Sequence, residues 1–313
     1  MVLSKAMRAC LVIALLIAGC ASSPTNAPRE SNPRTPARSS TSTGGARRFK
    51  DGEPKPIPAD LKAAVEQSIR VGVQIHLQDQ AGSIATDVLL ASVKTLEGQG
   101  LGGYLAMRNG DPSGRLLPSW TVLFFSNETV PRVRYRVGVP MEKGMKPTVE
   151  TLNPPEPTPP LLATTLRARQ LAVDAVQPVT RPLNPVVFPA ELLNANGYAI
   201  YLLAAQTEPN TIVLGKHYRV LVSADATAVK SVEPLSRGDL VLSTKSPEGA
   251  LGVAMVAAHV VTDYPLETHV FASLSARLPI YVVTRRGLWV VDGDSILFIS
   301  DKMPETEGPF PQP

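Results

Sequence analysis

Two histidines and two carboxylates that could form a metal site lie within eleven residues, from His259 to His269. They are His259, Asp263, Glu267 and His269. If the residues after Pro265 form a strand, Glu267 and His269 point to the same face of it. Two histidines and a carboxylate can hold zinc with one position open for water, and a second carboxylate can serve as general base. One hypothesis is therefore a metal-dependent hydrolase, with His259, Glu267 and His269 as zinc ligands.

The order of these groups resembles that of JAMM-type metal hydrolases, in which a buried strand ends in a histidine and a proline-containing loop carries further ligands. The second histidine of that family, two residues after the first, is Val261 here, and its downstream Ser-x-x-Asp is missing at the expected spacing. The sequence also has no His-Glu-x-x-His and no Gly-x-Ser-x-Gly motif. A purely structural role for the histidine segment is the other interpretation.

Cys20 follows a segment that is typical of exported proteins. Lys5 and Arg8 precede a short apolar run, which ends in Ile17-Ala18-Gly19-Cys20. This pattern resembles the precursor of a bacterial lipoprotein, whose signal peptide is cut before a cysteine that is then acylated. The resemblance implies a signal peptide over residues 1–19 and a palmitate-type anchor that binds the chain to a membrane through Cys20. Since Ala21 and not aspartate follows, it also implies the outer membrane, facing the periplasm, in a Gram-negative host.

The cysteine content and the apolar run agree with this interpretation. Residues 11–18 are too few to cross a bilayer, which takes about 20 apolar residues. The only other cysteine, Cys10, would leave with the signal peptide. We therefore expect a mature chain without a disulfide, a thiol nucleophile or a cysteine metal site.

The charge of the chain is unevenly distributed. Of 31 basic and 27 acidic residues, 9 and 3 precede Ala59, so the remaining 22 and 24 give the later part a net charge of −2. The overall charge of +4 therefore reflects the start of the chain. A nearly neutral body gives no support for binding to nucleic acid.

The composition predicts a tether followed by a folded body. Residues 20–58, which begin with the lipidated cysteine, are rich in proline, serine, threonine and arginine and have no periodic apolar pattern. A flexible coil of that length averages roughly 35 Å end to end. We expect this segment to be a disordered tether.

The first predicted lobe, residues 59–145, has an α+β pattern. The apolar spacing predicts helices from about residue 59 and over 83–97, with a strand over 71–77 between them. Two further strands are expected over 120–126 and 130–139. Residues 146–160 hold six prolines, a density that predicts a semi-rigid spacer and the boundary between two lobes.

The second predicted lobe, residues 161–303, opens with a helix over 161–175 and continues as a series of strands. These strands are expected over 198–205, 211–214, 218–223, 240–243, 252–261, 268–274, 280–284, 288–291 and 295–299. No helix long enough to bridge parallel strands is evident among them, so we expect mostly antiparallel sheet with a few packed helices, and a disordered tail over 304–313. The fold class is α+β.

Two functions of different classes remain open. The incomplete catalytic motifs favour a lipid-anchored envelope protein with a non-catalytic binding or structural role, which contacts another envelope protein or cell-wall material and needs no cofactor. The alternative is the zinc-dependent hydrolase that uses His259, Asp263, Glu267 and His269.

Overall fold

The fold is α+β, as predicted. The computed structural model describes residues 53–93, 95–111, 113–244 and 255–301. Within these ranges three α-helices pack against three four-stranded sheets and one two-stranded sheet. The predicted signal peptide, Cys20 and the predicted tail over 304–313 lie outside the described residues.

The helix α1, Lys62–Val93, is one continuous element of 32 residues. The strand predicted over 71–77 is wrong, and so is the break between two helices. The alternation of apolar and polar residues misled the interpretation, because Val71, Ile75 and Gln78 are the buried positions and their spacing is helical. Gly72 also belongs to the helix: a Cβ there would meet Val270 and the Glu267 carbonyl, so the absent side chain lets another helix approach.

The first sheet is antiparallel, in the order β1-β2-β3-β4. Its strands are β1 (Leu101–Gly110), β2 (Leu116–Ser126), β3 (Arg132–Pro140) and β4 (Thr148–Pro157). The two strands predicted over 120–126 and 130–139 correspond to β2 and β3. β1 was not predicted.

Most of the segment predicted to be a semi-rigid proline-rich spacer, residues 146–160, forms the strand β4. It pairs with β3 from Gly138↔Thr148 to Arg132↔Pro157, with a register shift between Val133 and Tyr135. β4 is an edge strand, so one side of its backbone needs no partner and proline is tolerated there. The prediction failed because proline density excludes only a central strand.

The second sheet follows the helix α2, Pro160–Ala175, which was predicted almost to the residue. Its order is β5-β6-β8-β9, all antiparallel, and β7 and β10 form a separate pair. The strands are β5 (Leu183–Pro189), β6 (Tyr198–Ala204), β7 (Thr211–Val213), β8 (Tyr218–Val222), β9 (Val229–Pro234) and β10 (Val241–Ser243).

The third sheet contains the parallel connection that the sequence did not suggest. Its order is β11-β12-β13-β14, where β11 is Met255–Ala258, β12 Ile280–Thr284, β13 Gly287–Asp292 and β14 Ser295–Ser300. β11 and β12 are parallel, and the helix α3, Glu267–Ala276, joins them. The strand predicted over 268–274 is therefore wrong, and α3 is the bridging helix that the sequence analysis did not find.

Contacts across the predicted boundary tie the body together. Leu105 and Leu123 of the first sheet share a core cluster with Ile200 and Leu202 of the second. On α1, Gln78 donates from its side-chain amide to Ala106 O (2.9 Å) in β1 and to Val187 O (2.8 Å) in β5. These contacts join the two lobes, and the lobes as separate domains stay a prediction.

The last residues of the predicted tether lie against the body. The Lys55 backbone forms a bridge with Phe298 in β14, with its N–H donating to the Phe298 carbonyl at 2.8 Å. The folded part therefore begins a few residues earlier than predicted. None of the described helices has an apolar stretch long enough to span a bilayer.

Candidate functional site

Three buried histidines lie close together between the second and third sheets. His259 follows β11, His269 is in the first turn of α3, and His217 precedes β8. Their exposed fractions are 5%, 4% and 1%. The rings of His259 and His269 meet edge to face, with their centres 4.8 Å apart. The predicted proximity of His259 and His269 is therefore found, although α3 and not a strand produces it.

At least one ring nitrogen of each of these histidines contacts the surrounding chain. His269 Nδ1 accepts the Leu266 N–H at 3.1 Å, and His217 Nδ1 accepts the Ala204 N–H at 2.9 Å. His259 Nε2 lies 2.9 Å from Thr262 Oγ1. A neutral imidazole has one ring nitrogen that can accept a hydrogen bond, and in His217 and His269 that nitrogen accepts a backbone N–H.

The carboxylate of Glu267 lies in a buried charge network and does not face the histidine pair as a ligand. Its Oε1 accepts the Tyr201 hydroxyl at 2.6 Å and Arg219 Nη1 at 2.8 Å, and the residue is 3% exposed. Arg219 also donates to Glu233, which is partly exposed. The network Tyr201–Glu267–Arg219–Glu233 therefore runs from the core to the surface.

Asp263 is also turned toward a partner of its own. Its Oδ1 lies 3.3 Å from Arg285 Nε in an ion pair that lacks hydrogen-bond geometry. Its backbone carbonyl accepts the Thr284 hydroxyl at 3.0 Å. The fourth residue of the predicted hydrolase is thus paired with β12 and the turn after it.

The arrangement does not fit zinc. The lone pair of His269 is committed to a backbone N–H, and Glu267 would have to leave Arg219 with a buried, half-compensated charge. Within the described ranges, no group of three or more His, Cys, Asp and Glu residues is placed to hold a metal ion. The hydrolase stays a prediction that this geometry does not favour.

Burial shifts the pKa values of the cluster. Desolvation lowers the pKa of His217 and of His259 to about 4. Desolvation, with the nearby His259, lowers the pKa of His269 to about 3. Desolvation and then the Glu267 charge raise the pKa of Tyr201 well above its ordinary value. At neutral pH the cluster therefore holds three uncharged imidazoles and a protonated phenol.

A cleft of about 380 Å³ opens beside this cluster. It is lined by Lys216, Tyr218, Pro234, Ser236, Arg237 and Val261. Val261 belongs to the loop between His259 and α3, and the other lining residues come from the ends of β8 and β9. None of them was a predicted site residue, because nothing in the sequence relates positions so far apart. Among the lining residues, the backbone of Lys216 is left-handed, with a φ of 60°.

Comparison with known proteins gives no relative from which to argue. No protein-family model matches the chain, no curated protein matches, and no solved structure matches.

The buried charge network predicts a large effect of Glu267→Gln. Removing the negative charge leaves Arg219 with one carboxylate, Glu233, which is partly exposed. We expect the free energy of unfolding to fall by about 2–4 kcal/mol, measured by urea denaturation at pH 7. The matched control is Glu150→Gln, which breaks an exposed ion pair with Arg136 and is expected to cost about 1 kcal/mol or less. Equal losses in the two variants would contradict the role given to Glu267.

The buried histidines predict that stability falls in acid. The unfolded chain binds protons near pH 6.5, whereas the folded chain keeps these imidazoles neutral until about pH 4 or below. The unfolded state therefore binds more protons between these values, and each histidine costs about 1.4 kcal/mol per pH unit of the fall. Asp79 acts in the opposite sense from pH 6 down to 3.8, because desolvation raises its pKa to about 6.

The measurement is the free energy of unfolding in urea from pH 7.5 to 4.5. We expect a net decrease over that range. His269→Asn keeps an acceptor for the Leu266 N–H but does not titrate, so its profile should be less steep than that of the wild type. A flat wild-type profile, or an unchanged slope in His269→Asn, would show that these histidines are not the cause.

Proposed function

We propose that this chain is a lipid-anchored cell-envelope protein with a non-catalytic binding role, whose partner is another envelope protein or cell-wall material. The proposed anchor is acylated Cys20, on the outer membrane and facing the periplasm in a Gram-negative host. The lipobox Ile17-Ala18-Gly19-Cys20 supports the location. The contacts of the described residues support the non-catalytic binding role.

The observation that carries the binding role is the internal pairing of the chemically capable groups. Glu267 is held by Arg219 and Tyr201, and Asp263 is paired with Arg285. The lone pair of His269 goes to the Leu266 N–H. A general acid, base or metal ligand needs an atom that reaches the substrate. Glu267 Oε1 and the lone pair of His269 are already hydrogen-bonded inside the fold, and Asp263 Oδ1 is buried facing Arg285.

The adjoining cleft has the opposite character. The side chains of Lys216 and Arg237 line it without a hydrogen bond or ion pair to the described part of the chain. Groups that are left unpaired at a concave surface are available to a ligand. The candidate catalytic groups are paired in the interior, whereas the cations at the cleft are unpaired. Together these two observations favour ligand binding over catalysis.

Lipid attachment predicts the behaviour of Cys20→Ser expressed in a Gram-negative bacterium. Without the thiol the chain cannot be acylated, so we expect it to leave the membrane fraction and to lack the mass of the acyl chains. Cell fractionation and intact mass spectrometry are the measurements. Cys10→Ser is the control, because that cysteine leaves with the predicted signal peptide and the mature mass should not change. A Cys20→Ser protein that stays on the membrane with an unaltered mass would refute the anchor.

The non-catalytic half of the proposal predicts a low zinc content. The full chain, purified in detergent without chelators, should hold far less than one zinc ion per chain by elemental mass spectrometry, and His259→Ala should not change that value. Stoichiometric zinc that is lost in His259→Ala would overturn the non-catalytic role and favour the hydrolase. The location at the membrane would be unaffected by that result.

A further inference from the structure

We propose that the cleft lined by Lys216, Tyr218 and Arg237 binds a ligand through an anionic group, a carboxylate or a phosphate. This inference rests on the binding role proposed above and names the site and the chemistry of the ligand. A carboxylate would come from the end or side chain of a short peptide, and a phosphate from a phosphorylated small molecule or polymer.

Some charged groups near the cleft are paired with each other, and two cations that line it are not. Arg219 contacts Glu233 and Glu267, and Arg181 lies 3.2 Å from Asp239. These five groups satisfy one another. Lys216 and Arg237 are the lining cations, and neither has a carboxylate partner among the described residues. The cleft therefore presents two positive charges to an incoming ligand.

Hydrogen bonds connect the two backbone segments that carry the cations. The Lys216 N–H donates to Ser236 Oγ at 2.9 Å, and Ser236 Oγ donates to the Gly238 carbonyl at 2.9 Å. On either side, the Leu214 N–H donates to Leu240 O (2.8 Å) and the Leu235 N–H to His217 O (2.9 Å). The segments that carry Lys216 and Arg237 are thus fixed to each other, which lowers the entropic cost of binding.

Gly215 makes this close approach possible. A Cβ at Gly215 would meet the Gly238 carbonyl, the Leu240 nitrogen and Asp239 Cα. Only a residue without a side chain lets the two segments lie so near each other. The contact brings residue 216 beside residues 236–238.

The conformation of Lys216 is costly for a lysine. Its φ is 60°, in the left-handed region where glycine or asparagine is the usual residue. Its ammonium group makes no hydrogen bond or ion pair with the described residues that would offset this strain. A strained residue that lines a cleft and whose charge has no described partner is a reason to infer a ligand.

The remaining lining limits the kind of ligand. Tyr218 offers a ring, and Pro234 and Val261 offer apolar surface. The volume of about 380 Å³ lies within the usual range for small-molecule sites, about 300–1,000 Å³. A small anion with a short, partly apolar body fits these features, as the carboxyl end of a peptide does.

The test is a calorimetric titration of the full chain in detergent at low ionic strength. The probes are N-acetyl-alanyl-alanine, the same dipeptide as a C-terminal amide, and inorganic phosphate. We expect the carboxylate dipeptide or phosphate to bind with a Kd of about 10 mM or tighter, and the amide to bind at least about tenfold more weakly than the carboxylate if the dipeptide is the one that binds. Binding of the dipeptide indicates a peptide source, and binding of phosphate a phosphorylated one.

Two variants separate a ligand role from a structural one. Lys216→Gly removes the charge and the backbone strain together, so its thermal midpoint should equal or exceed that of the wild type while affinity falls at least about fivefold. The double variant Lys216→Gly, Arg237→Gln should lose at least about tenfold in affinity. The control is Lys143→Gly, Arg115→Gln, which removes the same side chains at exposed positions outside the cleft and should bind as the wild type does.

Absence of binding by both anions, or equal affinity in the double variant and the wild type, would overturn the site. Membrane release of Cys20→Ser and a low zinc content would in that case leave the proposed function standing without this cleft. Anion binding that coexists with stoichiometric zinc would have the reverse meaning, since the site would hold and the non-catalytic role would fail.

Discussion

The carboxylate of Glu267 is buried at the start of α3, where the third sheet meets the second, and two strands of the second sheet supply its partners. Arg219 supplies the positive charge from β8, and Tyr201 supplies a hydroxyl from β6. An unpaired buried charge would cost far more than the contact gains, so α3 cannot move away from the second sheet without breaking this pairing. The position of α3 in turn sets the His259–His269 contact and the loop that carries Val261 into the cleft.

The sequence predicts well those elements whose apolar residues have a spacing that fits only a helix or only a strand, or that are short apolar runs. β3 alternates, α2 has helical spacing, and β2 and β13 are short apolar runs, and the structure has them where expected. Two of the errors fall where two periods fit the same residues. Residues 71–77 and 268–274 are rich in β-branched and aromatic side chains, but both are helical because tertiary packing outweighs local preference.

The candidate site was predictable only in part. The chain places His259 and His269 ten residues apart, so their proximity could be inferred from sequence. The partners of Glu267 are 48 and 66 residues away, in strands whose apolar pattern gives no hint of a buried ion pair. Lys216 and Arg237 line the same cleft because β8 and β9 are paired and Gly215 allows a close approach. Both the pairing and the close approach exist only in the folded chain. Local sequence therefore identified reactive residue types, but it could not show which of them would be hydrogen-bonded or ion-paired inside the folded chain.

The side-chain amide of Gln78 has a consequence for how copies of the protein behave when crowded. It occupies one backbone carbonyl in each of two edge strands, β1 and β5, and β5 carries Pro185 and Pro189 while β4 carries three prolines of its own. Edge strands with free N–H and C=O groups are templates for adding a strand from another molecule, and prolines and capped carbonyls remove those groups. Molecules concentrated side by side on a surface would therefore find fewer free backbone groups along β4 and β5 at which to polymerise by strand exchange.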